Sequence, residues 1–455
     1  MAKYQQYAEY KDSGVEWLGE VPSDWDVVKI KHLSSVKRGA SPRPIDDPKF
    51  FDDYGDYAWV RIADVSASDM YLLNTTQTMS ALGSSLSVKL EPNELFLSIA
   101  GTVGKPCINK IKACIHDGFV YFPDLKIPNK YLFYIFAGEQ AYKGLGKMGT
   151  QLNLNTDTVG DIKVALPKSK IDVQGIIDFL DHETAKIDSL IEKQQQLIQL
   201  LKEKRQAVIS HAVTKGLNPN VPMKDSGVEW LGEVPEHWQF PRLKQLIQYG
   251  SSISYGIVQP GDALDEGVPF IQTTNISKGS FELEDFQKTS VSIESNYPRS
   301  RLEGGEVILG IRASIGAAFV VPMSFKGVNL SRGIARIIPN NLLRSDFLVW
   351  YFKSNTVDQY WGLSKQGSTF SEVSIETVRE LNVVIPPLDE QETITKYLTD
   401  ESNKFEKLIN FAEKQKLLLL ERRTALISAA VTGKIDVRNW QNPNNNNEAK
   451  TEFSA

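Results

Sequence analysis

The chain contains the same twelve letters, KDSGVEWLGEVP, at residues 11–22 and again at 224–235. Two further patterns also occur twice: G-L-x-K-x-G-[ST] at 144–150 and 362–368, and E-x-R-x-A-x-I-S-x-A-V-T at 203–214 and 421–432. The offsets are 213 (224 − 11) and 218 (421 − 203). Self-similarity at a fixed period indicates repeated structural units. The sequence therefore predicts two copies of one unit of roughly 215 residues.

The first part of each unit, 26–170 and 239–387, is predicted to be mainly β. Short β-branched and aromatic runs alternate there with Gly, Pro, Asn and Asp. The predicted strands include Tyr57–Val65, Leu95–Ile99, Val268–Ile276 and Val307–Ile311. One helix is predicted near Lys130–Tyr142, with a counterpart near Arg344–Trp361.

Each unit ends in a predicted long helix, from about Val173 to Thr214 and from about Glu390 to Thr432. A heptad row runs through Leu180, Ile187, Gln194, Leu201 and Val208, and in the second helix through Leu398, Phe405, Ala412, Leu419 and Leu426. An apolar heptad row indicates a coiled coil. Eight of these ten residues, all except Gln194 and Ala412, are the candidates for helix pairing. A long helix that lies on a core remains the alternative.

These patterns predict an α+β fold of two pseudo-repeat units, each a mostly β domain followed by a long α-helix, with the two helices pairing as a coiled coil. The predicted segments are an N-terminal extension (1–10), a first mostly β domain (11–165), a first long helix (166–217), a second mostly β domain (218–385), a second long helix (386–435) and a disordered tail (436–455).

Composition limits the possible classes of protein. The formal net charge is −5, so a nucleic-acid surface would have to be local or shared with a partner. No apolar run approaches the ~20 residues of a membrane helix. The two cysteines make neither a disulfide framework nor a zinc site, and the five histidines lack metal-ligand spacing. We expect a cytoplasmic protein without a membrane segment or a metal site.

The order of variable domain, long helix, variable domain and long helix resembles the specificity subunit of a Type I restriction–modification enzyme. The segment PPLDEQ (386–391), which opens the second helix, is similar to the helix entry of that family. The first copy departs from it, because PKSKIDVQ (167–174) keeps only the Pro and the Gln. The repeated E-x-R-x-A-x-I-S-x-A-V-T ending also fits, and the resemblance covers about residues 11–435.

The resemblance implies a non-catalytic subunit in which each variable domain is a target-recognition domain that reads one half of a split double-stranded DNA target. It also implies that the two long helices pair antiparallel and act as a spacer between these domains. It implies partners as well: two methyltransferase subunits and two motor-nuclease subunits, which would use S-adenosylmethionine, ATP and Mg. No cofactor is expected in this chain. Because the two domains differ in sequence, the two half-sites should differ. For the duplicated KDSGVEWLGEVP stretch, two interpretations stay open: packing on a β core, or docking on a partner.

Two other functions are alternatives: a self-contained DNA methyltransferase or nuclease, and a coiled-coil adaptor that binds only protein. The segment AGTVGKP (100–106) lacks phosphate-loop spacing, and we expect a turn between strands there. Asn218-Pro219 and Asn442-Pro443 lack the second Pro and the aromatic residue of an adenine-methyltransferase box. PDLK (123–126) lacks a convincing acidic partner for a nuclease core. These observations favour the specificity subunit.

Side chains suited to DNA are amides, arginines and lysines in loops, where they can reach base edges or phosphates. The candidates in the first domain are Lys37, Arg38, Arg43, Arg61, Lys105, Lys147, Gln151 and Asn153. In the second domain they are Tyr255, Gln272, Thr274, Arg312, Arg332, Lys365 and Gln366. Lys147 and Lys365 are of special interest, because they recur in a Gly-flanked loop in both copies.

Overall fold

The structure, a computed structural model, describes residues 4–142, 145, 154–278, 282–364 and 372–443. The chain divides into two compact units. Unit 1 consists of Met1–Gln194 and Lys414–Ala455, and unit 2 consists of Gln195–Glu413. Each unit therefore combines one β-rich domain with one half of each long helix.

Unit 1 contains short strands and helices around the first domain. The strands are β1 (Tyr10–Asp12), β2 (Glu20–Pro22), β3 (Asp26–Lys29), β4 (Lys37–Arg38), β5 (Tyr57–Val60), β6 (Tyr71–Leu72), β7 (Thr78–Met79), β8 (Val88–Leu90), β9 (Leu95–Ser98), β10 (Pro106–Asn109), β11 (Ala113–Ile115), β12 (Phe119–Tyr121) and β13 (Lys163–Leu166). The helices are α1 (Ile30–Leu33), α2 (Ile62–Ala67), α3 (Ala81–Ser85), α4 (Asn129–Ala137), α5 (Thr156–Asp161) and α6 (Lys170–Lys215), with 3-10 turns at Pro48–Phe50 and Gln140–Tyr142.

The strands of the first domain form two main sheets. One has the order β4-β12-β9-β10-β6 and the other the order β7-β5-β11-β8. β5 and β11 are parallel neighbours, so their carboxyl ends lie at the same edge. That edge positions the candidate site of this domain.

Unit 2 repeats this plan around the second domain. Its strands are β14 (Met223–Asp225), β15 (Glu233–Pro235), β16 (Ser254–Tyr255), β17 (Val268–Ile271), β18 (Gln287–Thr289), β19 (Val307–Gly310), β20 (Ala318–Val320), β21 (Asn329–Leu330) and β22 (Ile334–Ile337). Its helices are α7 (Thr273–Lys278), α8 (Val291–Glu294), α9 (Ser345–Phe352), α10 (Asn355–Ser364), α11 (Ile375–Glu380) and α12 (Leu388–Val431), with 3-10 turns at Leu243–Gln245, Leu283–Asp285, Pro298–Ser300 and Met323–Phe325. The sheets have the orders β16-β22-β19-β20 and β18-β17-β21, and β17 is parallel to β21.

Three sequence-based assignments need correction. The predicted strands Tyr57–Val65 and Val268–Ile276 each end after four residues, and the chain turns into a helix, α2 or α7. The helix predicted near Arg344–Trp361 is two helices, because Ser354 hydrogen-bonds to the backbone at the junction of α9 and α10. β-branched residues favour strands only weakly, and local capping overrides that preference here.

The long helices α6 and α12 run antiparallel within each unit, as predicted. In unit 1, Arg423 donates from Nε to Oδ1 of Asp188 at 2.7 Å. In unit 2, Ile198 and Leu201 pack with Ile409 and Ala412. Towards its ends, each helix packs on a domain core instead, as Leu398 does in unit 2. The helices thus combine the two arrangements that the sequence left open.

The eight helix-pairing candidates divide by burial. Five are buried, namely Leu180, Ile187, Leu398, Phe405 and Leu426, and three are partly buried, namely Leu201, Val208 and Leu419. None of them is exposed, so the whole heptad row faces protein. Its spacing of seven residues keeps the apolar stripe on one side of each helix.

The duplicated KDSGVEWLGEVP stretch forms a two-stranded sheet in both units, β1-β2 and β14-β15. Its Leu18 and Val21 are fully buried in the core of unit 1, beside the end of α12. In unit 2, Leu231 and Val234 are buried in the same way beside the end of α6. The buried leucine and valine of the stretch therefore pack beside a helix end and not only on a β core, and docking of the stretch on a partner stays a prediction.

The segment after α12 differs from the expected tail. Val437 is buried, and Trp440 packs edge-on against Phe179. The backbone N–H of Asp436 donates to the carbonyl of Gln5 at 2.8 Å. The disordered tail predicted for 436–455 is thus wrong for 436–443, and the remaining residues lie outside the described ones.

Helices of the described ranges include none that is both long and apolar enough to cross a bilayer. In the same ranges, no group of three or more His, Cys, Asp or Glu side chains is placed to hold a metal ion.

Candidate nucleic-acid interface

Each domain carries a cleft, lined by both apolar and polar side chains, at the edge where its parallel strands end. Cleft 1, about 1110 Å³, is lined by Ser41, Pro42, Arg43, Pro44, Ile45, Asp46, Pro48, Phe51, Trp59, Arg61, Gln77, His116 and Asp117. Cleft 2, about 660 Å³, is lined by Ile257, Val258, Pro260, Phe270, Gln272, Thr273, Thr274, Arg312, Ala313, Ser331, Arg332, Gly333 and Glu372. Each cleft lies within one unit.

The first wall of each cleft is built by the same local structure. Arg61 follows β5 and precedes α2, and its backbone N–H donates to Oδ2 of Asp64 at 2.9 Å. Gln272 follows β17 and precedes α7, and its backbone N–H donates to Oδ1 of Asn275 at 2.9 Å. An acidic or amide side chain that caps the backbone three residues earlier favours a helix start. Residues 61 and 272 therefore occupy equivalent positions.

The second wall is equivalent as well. It follows β11 in cleft 1, at His116 and Asp117, and β21 in cleft 2, at Ser331 and Arg332. A loop crosses this wall so closely that only a glycine fits. A Cβ on Gly39 would lie 2.2 Å from the carbonyl oxygen of His116.

Cleft 2 has the same close approach, since a Cβ on Gly256 would lie 1.8 Å from the carbonyl oxygen of Leu330. The floors also match. Trp59 in cleft 1 is 5% exposed and Phe270 in cleft 2 is 1% exposed. The backbone frame and the aromatic floor are thus common to both clefts, whereas the polar side chains around them differ.

Charges in cleft 1 centre on Asp117. Arg43 donates from Nη2 to Oδ2 of Asp117 at 3.0 Å, and Arg38 donates from Nε to the Asp117 carbonyl at 2.5 Å. The side chain of Arg43 is 80% exposed, so this ion pair is open to exchange with a ligand. Arg61 lies beside Asp64, with Nε to Oδ2 at 3.4 Å.

His116, also in cleft 1, lies against the Trp59 ring and accepts a hydrogen bond at Nδ1 from the Gly118 N–H at 2.9 Å. Burial lowers the pKa of His116, and nearby Asp117 offsets this only in part. The imidazole is therefore neutral at pH 7, and the cations of this cleft are arginines.

Cleft 2 places its charges differently. Arg312 donates from Nε to Oε2 of Glu372 at 2.6 Å. Gln272 donates from Nε2 to Oε1 of Gln287 at 3.0 Å. Arg332 occupies the wall position that Asp117 has in cleft 1. The two clefts consequently present different patterns of donors and acceptors.

The other predicted DNA-contacting residues lie around or outside the clefts. Lys37 is exposed on β4, Tyr255 is exposed on β16, and Thr274 lines cleft 2. Lys105 lies in the predicted turn between β9 and β10, and its Nζ donates to the Ser66 carbonyl at 2.8 Å. Burial lowers the pKa of Lys105. Lys147, Gln151, Asn153, Lys365 and Gln366 lie outside the described residues.

Sequence reasoning missed the carboxylates that position the arginines, Asp117 and Glu372, and the aromatic floor. Glu372 is 60 residues from Arg312 in the chain, so no local pattern could pair them. The capping residues Asp64 and Asn275 had a usable signal. Each follows by three residues the polar residue that ends a strand run, which is typical of a helix start.

Two β-rich domains with differently lined clefts, joined by paired long helices, define a duplicated recognition scaffold. The sequence profile of the Type I restriction modification DNA specificity domain matches residues 22–200 and 235–419. The chain belongs to this family.

Curated relatives include the Type I restriction enzyme EcoBI specificity subunit of Escherichia coli, 28% identical over 255 residues. That match covers 54% of this chain and 53% of the relative, so the chain spans about half of it. The putative type I restriction enzyme MjaX specificity subunit of Methanocaldococcus jannaschii is 24% identical over 447 residues. This second match covers 92% of this chain and 96% of the relative.

A solved structure concerned with complex assembly and conformational transition of the type I R-M system contains a similar chain. The TM-score is 0.67 at 16% identity, and the match covers 90% of this chain and 98% of that one. This similarity supports the α+β fold with a central and a C-terminal long helix.

Proposed function

We propose that the chain is the DNA-sequence specificity subunit of a cytoplasmic Type I restriction–modification complex. Each domain reads one half of a bipartite, asymmetric target through its cleft. The observation that carries the proposal is the pair of clefts with one backbone frame and different polar linings. Different arrangements of donors and acceptors read different base edges.

The chemistry belongs to the partners in this proposal. Two methyltransferase subunits bind S-adenosylmethionine, and two motor-nuclease subunits use ATP and Mg, while this chain is non-catalytic and holds no cofactor. The family membership supports this division of labour. Exposed apolar side chains on the long helices support docking of a partner. In unit 2 they include Leu197, Leu200, Leu408 and Phe411, each at least 44% exposed.

Large apolar side chains on the open side of a helix pair are typical of a protein-binding surface. The apolar contact between α6 and α12 in unit 2, which we call the seam, is formed by Ile198, Leu201, Ile409 and Ala412. Leu197 and Leu408 lie at equivalent positions beside the seam, since Leu197 precedes Ile198 and Leu408 precedes Ile409. In antiparallel pairs such flanking positions lie on the same side. We propose that the methyltransferase subunits contact this side.

The test is methylome sequencing of a strain whose only Type I system uses this chain. We expect two different short half-sites separated by unread bases, with one adenine methylated in each half on opposite strands. A palindromic or continuous motif would contradict the proposal. The purified chain alone should neither methylate nor cut DNA, and activity of the highly purified chain would contradict the non-catalytic role. Salt-dependent DNA binding by the complex separates this role from that of a protein-only adaptor.

A further inference from the structure

We propose that the equivalent residues Arg61 and Gln272 are base-reading residues, Arg61 for a guanine in one half-site and Gln272 for an adenine in the other. This inference rests on the proposed function and deepens it, because it assigns base types to named side chains. It concerns the side chains at one structural position that occurs once in each domain.

The position is fixed by the backbone and leaves the side chain free to vary. In both domains the residue ends a cleft strand, begins a short helix, and has its N–H bound by the side chain three residues later, Asp64 or Asn275. The residue two positions earlier is the aromatic floor, Trp59 or Phe270. Because strand side chains alternate, residues 59 and 61 share a face, and so do 270 and 272. The side chain at position 61 or 272, which differs between the domains, therefore lies on the same strand face as an aromatic residue in both clefts.

The chemistry of Arg61 fits guanine. Asp64 lies beside Nε and Nη2 of Arg61, at 3.4 and 3.5 Å, and thus orients one edge of the guanidinium. The adjoining edge, formed by the two Nη groups, offers a planar pair of donors. Guanine presents two acceptors, N7 and O6, in the major groove, and a bidentate arginine is the commonest specific contact to it.

The chemistry of Gln272 fits adenine. Its Nε2 donates one hydrogen bond to Gln287 at 3.0 Å, which fixes the orientation of the amide. A glutamine amide has a second N–H and a carbonyl oxygen. Adenine presents one acceptor, N7, and one donor, N6, and a glutamine satisfies both. The same position thus carries a double donor in one domain and a donor–acceptor pair in the other.

The experiment compares methylation motifs of the whole complex carrying Arg61→Gln or Gln272→Arg. Arg61→Gln should change one base of one half-site, with guanine preference lost by roughly 5- to 150-fold, the equivalent of about 1–3 kcal/mol. Gln272→Arg should change one base of the other half-site, from adenine towards guanine. In each case the untouched half-site should stay as it is.

Lys112→Gln is the matched control for Arg61→Gln. It removes one positive charge from the same domain, but Lys112 precedes β11 and lies at the end of that strand opposite to the cleft. We expect an unchanged motif for this variant. Melting curves of each complex report whether folding is preserved.

Arg61→Lys keeps the charge but loses the planar donor pair. If Arg61→Gln prevents assembly, this variant still tests the proposal, because it should methylate with a relaxed choice of that one base. A stringent, unchanged motif in Arg61→Lys or Gln272→Arg would overturn the base assignment. Equal weakening on all sequences would do so too, since it indicates a phosphate contact. Neither result would affect the bipartite target, whereas a palindromic motif in the unmutated complex would refute the proposed function itself.

Discussion

Two buried tryptophans that follow the duplicated stretch differ in one hydrogen bond. In unit 2, Trp238 donates from Nε1 to Oε2 of Glu390 at 3.0 Å, and His237 lies 2.8 Å from the other carboxylate oxygen. In unit 1, the Nε1 of Trp25 is buried and has no hydrogen-bond partner among the described residues. The third residue of α12 is Glu390 and the third residue of α6 is Asp172, one methylene shorter.

We predict that Asp172→Glu stabilises unit 1, because the longer side chain can reach the Trp25 indole as Glu390 reaches Trp238. A hydrogen bond to a buried donor should raise the free energy of unfolding by about 1 kcal/mol. Chemical denaturation measures the change. Asp178→Glu on the same helix adds the same methylene at an exposed site and should leave stability unchanged. If both variants melt alike, the equivalence of residues 172 and 390 is wrong.

We predict that the free energy of unfolding depends on pH through the buried His116. Burial lowers the pKa of this residue in the folded chain, whereas in the unfolded chain it is about 6.5. Below about pH 6.5 the unfolded chain therefore binds the proton more readily than the folded chain does, and the free energy of unfolding decreases as the pH falls. We expect this loss of stability to be smaller in His116→Gln, measured as the unfolding free energy at pH 7.5 and 5.5. Equal pH dependence in both proteins would contradict this explanation.

Single residues of the clefts were only partly predictable. Arg61, Gln272 and Arg312 were candidates because their side chains suit DNA, and the structure places all three in a cleft. Their equivalence was hidden, since Arg61 and Gln272 differ in side chain and share only a backbone setting. The burial that keeps His116 neutral and the ion pair from Arg312 to Glu372 depend on the tertiary fold.

Among the elements, the long helices were the most predictable, because a heptad row of apolar residues has few alternative structures. The strands were less predictable than the helices. The strand predicted at Tyr57–Val65 ends at Val60, because the β-branched residues that follow it belong to α2. The cap from Asp64 to the backbone of Arg61 decides where that strand ends.

Leu200 and Leu201 are adjacent on α6 and should respond differently to a charge. Leu201 packs with Ile198, Ile409 and Ala412, so Leu201→Glu should lower the free energy of unfolding by roughly 2 kcal/mol or more. Leu200 is 61% exposed, so Leu200→Glu should change stability by less than about 0.5 kcal/mol.

Assembly with the methyltransferase subunits provides the second measurement. Leu200→Glu should weaken it without changing the melting temperature, because the charge disrupts only the exposed apolar side. Co-purification with the partner subunits measures the loss of assembly. In unit 1, Leu419→Glu tests the contribution of helix pairing to stability, as Leu201→Glu does in unit 2. Normal assembly of Leu200→Glu would place the partner on another surface. An unchanged melting temperature of Leu201→Glu would show that the seam contributes little.

For the whole molecule, the repeat in the sequence predicted two units that share one plan. It did not predict that the two halves of each long helix belong to different units. A sequence pattern carries no information on which domain the end of a helix packs against. The burial of Leu18 and Val21 beside the end of α12, more than 400 residues away in the chain, is visible only in three dimensions.

Modularity of the two domains leads to a prediction for the complete complex. Replacing residues 239–375 with the matching domain of a relative should change one half-site and leave the other intact, because cleft 2 lies wholly within that segment. Methylome sequencing of the chimera measures both half-sites at once. A change in both would mean that the clefts do not read independently.

Because unit 1 combines residues 1–194 with residues from Lys414 onward, its completion depends on when each part leaves the ribosome. Unit 2 is continuous from Gln195 to Glu413, so all of its parts are translated before Lys414. The core of unit 1 needs Ile427, Ala430 and Val431, which are translated after the whole of unit 2. The earlier of the two domains therefore has to wait, with part of its apolar core uncovered, until unit 2 and most of α12 have been translated.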